Sequence, residues 1–124
     1  MAAAGLFVPI VTARAYDSRN AGESALVAGV VRSVALAGLA APLPSVPVGA
    51  SAVSINLTTA DEAGPGFVAA YPSGTVWPGT SSLNFQPGQP VANGSVLKLS
   101  PTGALDLFSN WQTHVIIDVN GYFT

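Results

Sequence analysis

Hydrophobic and polar positions alternate along the chain in short runs, and the clearest run is the last. In Thr113-His114-Val115-Ile116-Ile117-Asp118-Val119-Asn120-Gly121-Tyr122-Phe123, Val115, Ile117 and Val119 fall on one face at period two. His114, Ile116, Asp118 and Asn120 fall on the other. The pattern predicts a strand with one face in the core. Residues 52–59 repeat it, with Val53, Ile55 and Leu57 inward and Ser54, Asn56 and Thr58 outward. Residues 6–11 are apolar around Pro9, which suits an edge strand. Further strands are predicted at 67–71, 83–85, 91–99 and 104–108, the third with a kink at Asn93-Gly94. Residues 24–39 fit a helical stripe as well as a strand. The β-branched Val27, Val30, Val31 and Val34, with Gly29 and Gly38, favour strand. Residues 40–49, carrying Pro42, Pro44 and Pro47, form a connection. Eight or nine short strands at this spacing predict a single all-β domain over residues 1–124, an antiparallel, jelly-roll-like β-sandwich.

Length agrees with that reading. A chain of 124 residues buries about two-thirds of its unfolded surface without a staple, and with no cysteine none is available. Composition changes the picture more. Charged residues make up 8% of the chain against about 25% in ordinary domains, and the mean hydropathy is +0.48. So few charges cannot solvate a whole surface, which points to burial against other copies, a closed ring such as a trimer being the preferred form. A net charge of −2 without a basic cluster argues against nucleic acid as a partner. Prolines interrupt the longest uncharged span, residues 33–60, so no membrane-spanning helix is expected there. The start of the chain lacks a basic n-region, and no secretory signal is expected.

Candidate chemistry is sparse, and neither a cofactor nor a metal is expected. His114, the single histidine, has no nucleophile-elbow serine in the sequence. It also lies about 13 Å along a strand from Asp118, too far for a shared ion at ~3.3 Å per residue. Asp118 sits in an apolar strand and needs a cationic partner if it is buried. Asp17 and Arg19 lie at the other end of the chain, beside Arg14, and an ion-pair network joining Asp17, Arg19 and Asp118 is the expectation. Asn56, Asn84 and Asn93 lie in or beside strands, where asparagine serves neighbouring backbone. With His114 they complete the expected structural polar network. Tyr16, Trp77 and Trp111 fall in predicted loops, as surface contacts or as caps on the core.

Five ordered motifs carry a resemblance. They are Val46-Pro47-Val48-Gly49-Ala50-Ser51-Ala52-Val53-Ser54-Ile55-Asn56-Leu57-Thr58, Gly66-Phe67 through Tyr71-Pro72-Ser73-Gly74, Pro78-Gly79-Thr80-Ser81-Ser82-Leu83-Asn84-Phe85, Gly88-Gln89-Pro90-Val91-Ala92-Asn93 and residues 114–123. Together they resemble a β-rich module of secreted actinobacterial surface proteins that also occurs in structural proteins of actinobacteriophages. Asp17-Ser18-Arg19 stands where that family has Asp-Thr-Arg, and Gly94-Ser95 interrupts what is there an unbroken apolar strand. The resemblance implies a non-enzymatic virion protein on the capsid surface, a decoration (minor capsid) protein contacting the major capsid protein. The alternative it implies is an extracellular, cell-envelope or carbohydrate-binding module that meets host surface glycan.

Overall fold

A computed structural model describes residues 5–124 and contains no helix among them. Eight strands occur in chain order: β1 (Phe7–Asp17), β2 (Arg32–Ala35), β3 (Ala52–Ala60), β4 (Gly66–Pro72), β5 (Leu83–Phe85), β6 (Val91–Lys98), β7 (Ala104–Ser109) and β8 (His114–Phe123). They form two antiparallel sheets of four, ordered β1-β8-β3-β6 and β2-β7-β4-β5. First pairs with last, second with seventh, third with sixth and fourth with fifth. This nesting is one long hairpin rolled up, the jelly-roll arrangement, closed by the β3/β8 and β4/β7 ladders.

Alternation places the core where the pattern put it. Val53, Ile55, Leu57, Val115, Ile117 and Val119 are buried between the sheets, facing Val68, Leu83, Phe85, Leu105 and Leu107 from the other side. One detail of β8 departs from strict alternation. Ser54 pairs Gly121 while the next residue, Ile55, pairs Val119, so Asn120 is an extra residue, a bulge. Past it the parity flips, and Tyr122 rather than Gly121 turns toward the core, opposite Val53. Ile116, grouped with the polar face, is buried there, flanked in the ladder by Asp17 and Thr58.

Three expectations are corrected. Strand β1 does not stop before Arg14 but continues to Asp17, because the β8 edge beside it offers ladder partners all the way to Ile116. Strand β6 is unkinked at Asn93-Gly94; its register with β3 is regular from Val91 to Lys98. In residues 24–39 the strand reading holds for Arg32–Ala35 alone. Gly29 and Gly38 take φ of 77° and 72°, which favours turns over either regular element, and the chain is pinned by a bridge from Leu26 to Thr113. Pro9 does lie on an edge strand, β1. Residues 1–4, most of the segment in which a basic n-region was sought, lie outside the described residues.

Candidate functional site

The charged residues expected to meet do gather on the outer face of the first sheet, but through a different cation. Arg14 on β1 stands opposite Asp118 on β8, and its Nε donates to Asp118 Oδ1 at 3.0 Å. Its Nη1 reaches Asp17 Oδ2 at 3.4 Å. Arg19, in the turn after β1, donates its backbone N–H, Nε and Nη2 to Asp17 at 3.0, 2.9 and 2.8 Å. Arg19 is thus a local partner of Asp17, not of Asp118, and its side chain is 45% exposed. The Arg19 guanidinium holds the Asp17 carboxyl down at about 2, and Arg14 and Arg19 are each raised by the carboxylate they bond. Asp118 is partly solvated rather than buried, which is why a half-exposed arginine suffices as its partner.

His114 has a serine neighbour: Ser18 Oγ lies 2.9 Å from Nδ1. That hydroxyl is 1% exposed and accepts the Val115 N–H at 2.8 Å, while the Ser18 N–H bonds the Val115 carbonyl. The pair therefore sews the end of β1 to the start of β8 and presents no oxygen to solvent. Of the asparagines, Asn93 donates to the Ser82 carbonyl across the open side of the sandwich at 3.2 Å. Asn56 stands on the outer face opposite Asp118, and Asn84 opposite Phe67 on the other sheet. The expected network is consequently split between two faces and an edge. Among the described residues, no group of three or more His, Asp or Glu side chains could hold a metal ion.

Tyr16 is not a loop residue. It lies on β1 with its ring against the core, and its hydroxyl donates to Glu23 at 2.7 Å and accepts from Arg32 at 3.1 Å. Burial, then the Glu23 bond, raises its pKa. Arg32 also bonds the Ser24 and Ala25 carbonyls, so it ties down the 18–31 connection.

The tryptophans have separate settings. Trp111 sets the Nε1 edge of its indole against Gly64, where a Cβ would sit 1.0 Å from that nitrogen, so only glycine admits it. Trp77 comes from the 73–82 loop and covers the outer face of the second sheet. Its ring stacks on Phe108 at 4.9 Å and on Phe67 at 5.7 Å, and its Nε1 donates to the Thr80 carbonyl at 2.9 Å. Parity explains the platform: with Val68 and Leu107 inward, Phe67, Ala69, Tyr71, Asp106 and Phe108 must face outward. The loop is anchored by Asp106, which accepts Ser73 Oγ at 2.8 Å and the Gly74 N–H at 3.2 Å. Between Phe67 and the loop remains a cleft of about 210 Å³, lined by Phe67, Trp77, Gly79, Thr80 and Ser81.

Sequence reasoning missed Phe67, Phe108 and Asp106 as a unit with Trp77. The signal was present: two aromatics and a carboxylate on the outward parity of strands whose inward residues are aliphatic mean that something covers the face. No family model matches the chain, and no curated protein matches it.

Proposed function

We propose that the protein is a non-enzymatic virion structural protein, a capsid decoration (minor capsid) protein of an actinobacteriophage that assembles as a homo-oligomer, with a trimer preferred, against the major capsid protein. The observation that carries this reading is the charge-poor jelly-roll surface, on which Val11, Val48, Val76 and Val96 are all well exposed. Isolated chains avoid such surfaces, whereas close-packed copies cover them. The fold supports the reading only by analogy, since jelly rolls recur in viral capsid and lectin domains. The five-motif resemblance points the same way. The chemistry present favours contact over catalysis: the serine beside His114 is buried and bonded to Val115, and the carboxylates of Asp17, Asp106 and Asp118 are each engaged in holding strands or loops.

Mass spectrometry and cryo-electron microscopy of purified virions test the location, and the expected result is ordered density for this chain on the outer capsid. Absence from particles, with the protein found in the envelope of uninfected cells, overturns it. One observation favours a second reading, a cell-envelope or carbohydrate-binding module: the aromatic cleft beside Trp77.

A further inference from the structure

We infer that the cleft between Phe67 and residues 79–81 binds one neutral pyranose ring of an uncharged glycan. This rests on the reading of the chain as a non-enzymatic contact protein and deepens its second form. The cleft has an aromatic wall, Trp77 and Phe67, fixed before any ligand arrives. The indole is stacked on two phenyl rings, and its N–H is held by the Thr80 carbonyl, so little side-chain freedom is left to lose on binding. The apolar C–H face of a pyranose carries slight positive charge and complements the negative face of an aromatic ring.

Polar groups complete the description. The Thr80 and Ser81 side chains line the cleft, and Asn84 stands directly across the ladder from Phe67 on the same outer face. Opposed residues bring their Cβ atoms within about 5.5 Å. None of these three side chains bonds to another described residue, so two hydroxyls and an amide are available to ring hydroxyls. No charged residue lines the cleft, and Asp106, on the same face, is engaged by Ser73 and Gly74. An anionic or cationic ligand would meet no countercharge. A volume of about 210 Å³ is below the ~300–1,000 Å³ of drug-sized sites, which fits a single sugar ring. A proline-rich peptide would need a longer, more apolar groove.

The test is a fluorescence titration of the Trp111→Phe protein, in which Trp77 is the single indole, with neutral tetrasaccharides of glucose, galactose and mannose. The expected result is a saturable change in Trp77 emission with at least one of them, at a dissociation constant of about 1 mM, as small weak sites give. Asn84→Ala is expected to weaken it about tenfold, and the Thr80→Val, Ser81→Ala double variant to abolish it. Unchanged thermal melts show that each variant is folded. No saturation with any of the three sugars overturns the proposal, as does saturation that survives the double variant. A response to a proline-rich peptide alone makes the cleft a peptide site instead. Virion location is read separately. Loss of sugar binding with the protein still on particles removes this site and not the proposed location, and absence from particles with sugar binding intact does the reverse.

Discussion

The two sheets of the sandwich have the same number of strands and share one core, yet their outer faces are covered in opposite ways. The first sheet carries Arg14, Asp17, Asp118 and Lys98 outward and leaves them in water or in ion pairs. The second carries Phe67, Tyr71, Asp106 and Phe108 outward and draws its own 73–82 loop over them. A chain with four Lys and Arg has too few charges for two solvated faces. It keeps all of these cations but Arg32 on or beside the first sheet, and the outer face of the second becomes a thin hydrophobic layer held by Trp77 and Asp106. Exposed ion pairs contribute little stability each, while aromatic packing and a buried carboxylate's hydrogen bonds contribute more. The two faces should therefore respond unequally to damage.

The largest effect is expected from the layer that both faces rest on. Ile117→Ala or Leu107→Ala removes a side chain of zero exposure and should cost about 2–5 kcal/mol through lost transfer energy and a residual cavity. Urea unfolding followed by far-UV circular dichroism and by tryptophan emission checks the size, and both probes should move together. If tryptophan emission changes well before the backbone signal, the loop-covered face is a separate cooperative unit and the shared core is the wrong frame.

The next effect separates the faces. Asp106→Ala removes the acceptor for Ser73 Oγ and the Gly74 N–H, two part-buried hydrogen bonds to a charged group, and should cost about 1.5–3 kcal/mol. It should also free Trp77 from its platform, shifting its emission to the red, while the Arg14 and Asp118 pair is untouched. Asp106→Asn keeps one acceptor oxygen and should lose less. An Asp106→Ala protein with wild-type emission and stability would show that aromatic stacking alone holds the loop.

What the sequence revealed about these faces was uneven, for physical reasons. The strands and inward residues of β3 and β8 were legible because burial on one face imposes period two, and many short strands leave few architectures. The Asn120 bulge was not legible, since one extra residue leaves no trace in composition and shows itself only through the partners of its neighbours. Asp17 was placed with its arginine neighbour correctly because Arg19 is two residues away. That Arg14 makes the link to Asp118 was not legible, because it lies on a segment that reads as loop by its Ala and Ser content, and only pairing with β8 makes it strand. The aromatic platform was half legible: Trp77 stood out, but its partners Phe67 and Phe108 read as ordinary strand residues.

The smallest effect belongs to the charged face, and it has a defined pH signature. Asp17 is lowered to about 2 from an ordinary value of 3.8, chiefly by its hydrogen bonds from Arg19. A carboxyl whose folded value is depressed binds its proton more readily when unfolded. Its contribution to stability is therefore complete above about pH 4 and is lost as pH falls toward 2. Arg14 and Arg19 are both about half exposed, so solvent screening limits that contribution to about 1 kcal/mol. Arg14→Ala should cost about 0.2–1 kcal/mol at neutral pH and less in high salt. Melting temperatures of wild type and Asp17→Asn measured from pH 7 to 2 provide the check. The difference should be constant down to about pH 4 and shrink below it as wild-type Asp17 takes up its proton. Curves that stay parallel to pH 2 would mean that Asp17 titrates alike in the folded and unfolded chain, and the charged face would then contribute nothing beyond solubility.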